Sequence, residues 1–420
     1  MRVYFVNSIL GTGSTGRIVA ALMEKVEERG GKIRAAYGRG KVPKEIEASE
    51  DTFHMGNNLY VYFHGAMSRI TDMQGRYSAG PTKALISDIK SFGPDIIHLH
   101  NIHGYYLHFP LLFEYLHSFE GRIVWTLHDC FPFTGHCTHF EAAHCDKWKS
   151  GCFRCPEKGS YPKSILLDSS KSNYELKKKC FTGLSRMELV TPSEYLKSAL
   201  EESFLSEYKV TVIPTGIDLE KFTYSISDLR IKMGIGKRFL ILGAANPWRQ
   251  RKGYDDFLKL AEILQKNHGD DFKVAMIGLK EHQLKEVKSK FPDLIIGIDH
   301  TDNLNEMVQW YSAADVFLNL TYEDTFPTTN LEAMACGTPV ITYAAGGSPE
   351  SITPKTGIVV QVGDLEGVEK ALNKVRILGR GHFSRSCTRH MRKYDRDNRF
   401  KEYVDRIYAG DESIDNEKNM

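Results

Sequence analysis

The sequence has no long hydrophobic run, no marked excess of charge and no low-complexity tract. No stretch reaches the about 18 apolar residues that a transmembrane helix needs. A net charge of +2 gives no support to nucleic-acid binding, which usually needs a strongly basic face. The first residues, Met1–Asn7, are typical of a β-strand and turn polar too early for a signal peptide. We therefore expect a cytoplasmic protein, with contact at the inner face of the plasma membrane left open.

The chain is long enough for two domains. Its 420 residues exceed what one hydrophobic core usually supports, while 41% hydrophobic and 26% charged residues are ordinary for a globular protein. Short β-branched or aromatic runs alternate with helical patterns, which predicts parallel sheets covered by helices. The first predicted strands are Val3–Val6, Ile33–Tyr37, Ile96–Leu99, Ile123–Leu127 and Leu189–Thr191. The second series is Val210–Ile213, Phe239–Leu242, Val274–Ile277, Leu294–Ile296, Val316–Leu318, Val340–Thr342 and Gly357–Val360.

A proline–glycine turn at Pro214–Asp218 suits a hinge between two domains. We predict a Rossmann-like domain over 1–212, with a cysteine-rich insertion at about 130–160, and a second over 213–383. Residues 384–409 are expected to form a helix that packs back across the hinge, and residues 410–420 to be disordered. Ligands of open α/β sheets bind beyond the carboxyl ends of the strands, so two such domains would face a central cleft.

The segment Asn319–Val340 carries three carboxylates in a pattern that suits a nucleotide-sugar. Glu323 and Asp324 lie on a predicted loop, and Glu332 lies in the first turn of the next helix. Carboxylates accept hydrogen bonds from the vicinal hydroxyls of a sugar or ribose. The N–H groups that open a helix favour an anion such as a diphosphate. The alternative is a capping box formed by Thr329 and Glu332.

Three cations, Arg249, Arg251 and Lys252, precede another helix. Such side chains can clamp a diphosphate and stabilise its charge as it leaves. A solvated basic loop is the alternative, and placement opposite the acidic loop argues against it.

The glycines of Gly11–Gly16 have the G-x-G-x-x-G spacing of a dinucleotide fingerprint. That fingerprint expects an acid about 20 residues further on, and the second strand has none. Arg34 or Arg39 could instead accept a 2′-phosphate, so an NADP-dependent oxidoreductase stays an alternative. A glycine loop that lets another substrate approach the backbone fits equally well.

His128 follows a predicted apolar strand and is expected to project into the cleft, where its imidazole could bond a sugar hydroxyl or phosphate oxygen. Asp129 could fix its tautomer, and a histidine that only faces water is the alternative. Three more histidines follow or end the neighbouring strand: His98, His100 and His103.

Five of the eight cysteines lie between residues 130 and 155. In a chain without a secretory signal, such a cluster points to metal or free thiols before disulfides. Cys152 and Cys155 have the C-x-x-C spacing of structural zinc sites, and Cys137 and Cys145 would complete a closed set of four ligands. Reduced thiols that pack a loop are the alternative.

Together these segments resemble the GT-B glycosyltransferases of family four, the retaining nucleotide-sugar enzymes. The resemblance is carried by Gly11–Gly16, His128-Asp129, Val212–Asp218, Arg251–Gly253, Gly297, Ala314–Val316 and Glu332–Val340. It implies an α/β fold of two Rossmann-like, doubly wound domains that face a central cleft. The run His128–Cys137 is similar to a bacterial subgroup that builds exopolysaccharide, capsule or O-antigen repeats.

The resemblance also implies roles for single residues. In the family's E-x7-E motif the second glutamate, here Glu332, holds the ribose, and the first falls on Asp324. The implied catalytic residues are His128, Lys252, Asp324 and Glu332. The implied donor-binding residues are Gly13, Arg249, Arg251, Gly297, Ile298, Glu323, Phe326, Thr328 and Thr329. The implied acceptor-side residues are Ser14, Thr15, His100 and Asp129.

The implied activity is metal-independent transfer of a hexose from a UDP-sugar or GDP-sugar to a saccharide acceptor. The acceptor is expected to be polyprenyl-diphosphate-linked, in bacterial surface polysaccharide synthesis, and no nucleic acid partner is expected. The run Lys177–Lys179, with Phe181, could dock at a membrane, although a solvated helix face is the alternative. A sugar-nucleotide epimerase, an NADP-dependent oxidoreductase and a non-catalytic sugar-binding protein are the competing functions.

Overall fold

A computed structural model describes residues 1–47 and 49–409 of the chain. The chain divides into two compact units, Met1–Pro214 with the chain from Phe400 onward, and Thr215–Arg399. The tail at 410–420, expected to be disordered, lies outside the described residues. No helix of the described residues is long and apolar enough to cross a membrane.

The first unit is built on a seven-stranded parallel sheet. Its strands are β1 Arg2–Asn7, β2 Lys32–Tyr37, β3 Thr52–His54, β4 Ile96–Leu99, β5 Arg122–Thr126, β6 Met187–Thr191 and β7 Val210–Val212. Its helices are α1 Gly13–Glu28, α2 Lys44–Glu47, α3 Asn58–Thr71, α4 Ala79–Phe92, α5 Phe109–His117, α6 Ser170–Phe181 and α7 Glu194–Glu201. The strand order is β3-β2-β1-β4-β5-β6-β7. The order reverses between β1 and β4, which is where doubly wound sheets bind ligands.

The second unit is built on a six-stranded parallel sheet. Its strands are β8 Phe239–Ala244, β9 Phe272–Ile277, β10 Ile295–Ile298, β11 Val316–Asn319, β12 Val340–Tyr343 and β13 Gly357–Val360. Its helices are α8 Leu229–Lys232, α9 Tyr254–His268, α10 Glu281–Lys290, α11 Leu304–Ala313, α12 Thr328–Ala335, α13 Leu365–Leu378 and α14 Arg380–Met391. The helix α15 Arg396–Glu402 begins in this unit and ends in the first. The order is β10-β9-β8-β11-β12-β13, so it reverses between β8 and β11.

Burial explains why these runs form strands and helices. All six residues of β9 are buried, because helices and neighbouring strands cover a parallel sheet on both faces. In α9, Phe257, Leu260, Ala261 and Leu264 have helical spacing and belong to the core of the second unit. Burying one such leucine or phenylalanine stabilises the fold by about 1.5–3 kcal/mol.

The predicted fold class is confirmed, and one strand prediction is wrong. Val210–Val212 pairs with β6 and is the edge of the first sheet, whereas the sequence pattern places Val210–Ile213 in the second series. The strand Thr52–His54 was missed because its three residues have no continuous apolar pattern. The expected tail helix is also divided between the units, since Cys387 of α14 belongs to the second core and Tyr408 to the first.

Candidate active site

The basic and acidic loops meet at the strand-order reversal of the second sheet. Because β8 pairs with β11, the loops that follow these two strands lie at the same edge. The N–H of Tyr322 donates to the carbonyl of Arg251 at 2.8 Å, and the Arg251 guanidinium donates to the carbonyl of Glu323. The two loops expected to face each other are thus bonded side by side within one unit.

Lys252 and Asp324 form the ion pair at the centre of this arrangement. Lys252 Nζ lies 2.5 Å from Asp324 Oδ2, with side chains that are 25% and 20% exposed. Asp324 is held from two further sides, because its Oδ1 accepts the N–H of Phe326 and its carbonyl accepts the N–H of Gly347. A charge-assisted contact between partly exposed groups can be exchanged for a contact to a ligand of matching charge.

Gly253 allows the two loops to approach this closely. Its φ is +76°, in the left-handed region, and a Cβ at this position would lie 2.2 Å from the carbonyl oxygen of Leu320. Only glycine adopts both the conformation and the contact without displacing backbone. In the local sequence Arg251-Lys252-Gly253, the glycine therefore allows the two preceding cations to lie against the acidic loop.

The capping-box alternative for Thr329 and Glu332 is wrong. Helix α12 begins at Thr328, Pro327 occupies the N-cap, and no side chain caps the helix. Glu332 Oε2 instead accepts a hydrogen bond from the hydroxyl of Tyr311 at 2.9 Å. Burial, together with Glu332, raises the pKa of Tyr311 well above its usual range, so Tyr311 is a firm donor. The first N–H groups of α12 have no acceptor within the helix, as at any helix start.

The other residues implied to bind the donor differ in how far they are exposed to solvent. Arg249 is exposed, and its guanidinium has no partner within 1–47 and 49–409. The side chains of Glu323 and Phe326 are 0% and 6% exposed. Gly297 and Ile298 lie on the edge strand β10, where the carbonyl of Ile298 already accepts the N–H groups of Gly278 and Leu279. Of the two candidate second cations, Arg249 is exposed, whereas Arg251 already donates one N–H group to a backbone carbonyl.

In the first unit, His128 and His100 form a contact pair at the ends of β5 and β4. His100 Nδ1 lies 3.0 Å from His128 Nε2, and the rings stack with centroids 5.4 Å apart. Burial lowers the pKa of His128 to about 4 and that of His100 well below its usual range. Both imidazoles are therefore neutral at neutral pH, and His128 can exchange hydrogen bonds without carrying charge.

Asp129, which we expected to fix the tautomer of His128, is bonded to His103. Its Oδ2 lies 2.8 Å from His103 Nε2, and its Oδ1 accepts the N–H of Phe131. Burial acts to raise the pKa of Asp129, but His103 and this N–H outweigh it and lower the pKa to about 2. His98, at the end of the neighbouring strand, is fully buried, and its Nδ1 lies 2.6 Å from the hydroxyl of Tyr408.

The glycine loop opens α1 and leaves room for a substrate at the backbone. Gly11 and Gly13 have φ of +68° and +62°, and Gly13 and Ser14 are exposed at the first turn of the helix. Thr15 is buried, 3.4 Å from the side-chain amide of Asn7. Arg34, one of two candidates for a 2′-phosphate, is instead paired with Asp88 through two nitrogens at 2.7 Å.

The predicted zinc ligands are not brought together as a metal site. Within 1–47 and 49–409 no group of three or more histidine, cysteine, aspartate or glutamate side chains is placed to hold a metal ion. Cys137 and Cys155 share a hydrogen bond, Cys152 Sγ accepts the N–H of Gly135, and Cys145 packs on the apolar core. The alternative of reduced thiols that pack a loop describes this arrangement.

Two residues of the run on α6 that could dock at a membrane, Lys177 and Phe181, are buried, whereas Lys178 and Lys179 are exposed. Lys177 is 1% exposed and donates to the carbonyls of Phe131 and Thr134 at 2.6 and 3.0 Å. Phe181 is fully buried. Spacing along the helix could not reveal this, because the acceptors lie more than 40 residues away in the chain.

Comparisons with known proteins give the family of the chain and confirm its fold. Residues 15–221 match the family model Glycosyltransferase Family 4, and residues 227–382 match the model Glycosyl transferases group 1. The two parallel sheets with their helices match GT-B structures across the whole chain. The family models and this fold therefore define a GT-B glycosyltransferase. Because its two halves match these two models, the chain is of the family-four type.

Relatives of several named activities are similar to parts or most of the chain. The putative colanic acid biosynthesis glycosyl transferase WcaC of Escherichia coli is 22% identical over 86% of this chain and 87% of its own. A D-inositol 3-phosphate glycosyltransferase of an Arthrobacter species is 30% identical over 42% of this chain, which spans under half of that relative.

Two solved structures cover nearly the whole chain. A glycosyltransferase of Rickettsia africae has a TM-score of 0.65 at 17% identity, over 96% of this chain and 97% of that one. The Anabaena protein HepE, in complex with UDP, has a TM-score of 0.65 at 14% identity, over 97% and 100%. At these identities the likeness concerns the fold.

Proposed function

We propose that the chain transfers a hexose from a nucleoside diphosphate sugar to a hydroxyl of a saccharide acceptor, with retention of configuration and without a metal ion. The observation that carries this proposal is the pairing of Lys252 with Asp324 at the strand-order reversal of the second sheet. Groups of opposite charge held side by side suit a ligand that has an anionic diphosphate at one end and hydroxyls at the other.

The donor, a UDP-sugar or a GDP-sugar, would be held entirely by the second unit. Lys252 and Arg249 bind the diphosphate, together with the N–H groups that open α12. On binding, Lys252 exchanges its contact with Asp324 for a phosphate oxygen, which frees the carboxylate for hydroxyls of the transferred sugar. Glu332, already oriented by Tyr311, accepts the ribose hydroxyls.

The reaction breaks the bond between the anomeric carbon and the diphosphate oxygen, which leaves with the electron pair. The acceptor oxygen bonds to that carbon on the same face, and its proton passes to the departing phosphate oxygen. Lys252, Arg249 and the start of α12 stabilise the charge that develops there. In the first unit, the neutral His128 bonds a sugar hydroxyl, and Ser14, Thr15, His100 and Asp129 lie on the acceptor side.

The acceptor would be a lipid-linked saccharide at the cytoplasmic face of the membrane, in bacterial surface polysaccharide synthesis. Two observations support this finer proposal. The run His128–Cys137 is similar to a subgroup with that role, and the Escherichia coli relative is named for colanic acid biosynthesis.

A panel of nucleotide-sugars tests the proposal. The full chain is incubated with UDP-sugars and GDP-sugars, with and without saccharide acceptors, and the released nucleoside diphosphate is measured. We expect release from at least one donor, increased by a suitable acceptor. Conversion of the donor to an isomer without release would support an epimerase, and nicotinamide absorbance in the purified protein would support an NADP-dependent oxidoreductase. No release with any donor would overturn the proposal.

A further inference from the structure

Helix α3 turns an apolar face to solvent. The stripe has the spacing i, i+3, i+4, i+7 and i+11 of one helical face, and it consists of Leu59, Tyr62, Phe63, Ala66 and Ile70. Leu59 and Tyr62 are 74% and 73% exposed. The opposite face is buried through His64, Gly65 and Ser68. In an ordinary surface helix the apolar stripe faces the core and the polar face is exposed, so α3 has the opposite arrangement.

A second apolar segment is fixed beside the end of α3. Ile165, Leu166 and Leu167 are 59%, 64% and 53% exposed. The N–H of Ile165 donates to the carbonyl of Arg69 at 2.7 Å, and the N–H of Leu167 donates to the carbonyl of Ile70 at 3.1 Å. These bonds satisfy carbonyls that the helix end leaves open. The backbone itself therefore holds the three apolar side chains in their exposed position.

The stripe and this segment together form the α3 patch. Single exposed apolar residues are common, whereas contiguous ones mark an interaction surface. The cations beside the patch are Arg69, Lys163 and Lys158, whose Nζ donates to the carbonyl of Leu166 at 3.2 Å. Of the acids next to these segments in the chain, Asp72 is buried and bonded to His136, and Glu157 is half-buried. Neither 54–71 nor 161–167 contains an aspartate or glutamate. The acid that follows, Asp168, accepts the N–H groups of the backbone at 155 and 170.

We propose that the α3 patch docks on the surface of a lipid bilayer with anionic headgroups. Aliphatic and aromatic side chains on one face, with cations beside them, are what a helix needs to lie in the plane of such a surface. A protein partner would tolerate carboxylates around its contact, but an anionic headgroup layer repels them, and the patch has none. The proposal stands apart from the proposed function, since docking needs neither donor nor acceptor.

Sedimentation with vesicles tests the docking. The full chain is mixed with phosphatidylcholine vesicles that contain a third phosphatidylglycerol, and with vesicles of phosphatidylcholine alone. We expect the wild-type chain to sediment with the first kind and less with the second, and high salt to weaken binding. The variant Tyr62→Ser, Phe63→Ser, Leu166→Ser should bind about tenfold more weakly or worse, because it loses most of the apolar contact.

The matched control changes three exposed isoleucines of the second unit to serine. Ile226, Ile231 and Ile377 are 87%, 82% and 82% exposed, so the control removes similar apolar surface elsewhere. It should bind vesicles as the wild type does, and circular dichroism should show both variants folded. Failure of the wild type to sediment, or equal binding by the α3 variant, would overturn the proposal. So would a wild-type dimer that does not bind vesicles and that the α3 variant converts to monomer, since the patch would then join two copies.

Discussion

At the scale of single residues, the proposed chemistry depends most on Lys252. We expect Lys252→Ala to lower turnover about tenfold to a thousandfold, because the leaving diphosphate loses a cation. The turnover is measured by the release of nucleoside diphosphate. Lys259→Ala is the matched control. This lysine is 63% exposed, and its Nζ lies 3.8 Å from Asp256 Oδ1, so its removal breaks only a weak ion pair. The control should keep wild-type turnover, and near-normal turnover of Lys252→Ala would contradict the proposed role.

Tyr311 is expected to act through Glu332. Tyr311→Phe removes the hydroxyl that donates to Glu332, at a cost of about 1 kcal/mol in the free energy of unfolding. We expect the KM for the donor to rise more than kcat falls, because Glu332 loses its orientation but keeps its charge. Tyr254→Phe, which removes a similar 2.9 Å bond to Glu286, should leave the KM unchanged. Equal KM values for both variants would show that Tyr311 has only a structural role.

Sequence patterns identified the chemistry of single residues better than their partners. Lys252 and Glu332 lie in the segments that follow β8 and β11, at the sheet edge where open α/β sheets bind ligands. The partners Tyr311 of Glu332 and His103 of Asp129 are more than 20 residues away in the chain, so no local pattern could reveal them. The same limit explains the buried Lys177, whose charge suggested a surface position.

At the scale of elements, Gly253 controls how the basic loop meets β11 and its loop. Gly253→Ala adds a Cβ 2.2 Å from the carbonyl of Leu320, in addition to a strained left-handed backbone. We expect it to lower the free energy of unfolding by about 1–3 kcal/mol more than Gly93→Ala does, and to lower turnover as well. Gly93 is also left-handed, with φ of +59°, and has open space around it, so that variant carries the backbone strain alone. Urea unfolding and the release assay measure both, and equal effects would contradict the steric argument.

The elements themselves were largely predictable where burial is two-sided. The strand β8 appears in the sequence as a continuous apolar run, because both faces of a parallel sheet are covered. A capping box formed by Thr329 and Glu332 places the start of α12 two residues late, since a threonine and a glutamate three apart suit such a cap. Sheet membership of β7 was not predictable, because a three-residue strand gives no sign of which neighbour it pairs with.

At the scale of the whole molecule, buried neutral histidines should make the fold sensitive to acid. Burial lowers the pKa of His98 to about 3 and that of His128 to about 4, whereas unfolded histidines titrate near about 6.5. Between these values the unfolded chain binds more protons, so stability falls as the pH falls. The carboxyl of Asp129 has a pKa of about 2, so protonation of this group lowers the stability only below about pH 4. We expect a loss of about 2 kcal/mol or more between pH 6.5 and 5, from urea unfolding. His128→Gln should reduce this slope, and an unchanged slope would contradict the assignment.

The central claim is that the second unit holds an activated sugar between its paired loops, with the cations on the diphosphate and the acids on hydroxyls. A crystal structure of the full chain, soaked with the nucleotide-sugar that the panel identifies, tests it most directly. We predict a phosphate oxygen within hydrogen-bond distance of Lys252 Nζ, the ribose on Glu332 and the transferred sugar on Asp324. A nucleotide bound elsewhere, or one that leaves the contact between Lys252 and Asp324 unchanged, would contradict the claim.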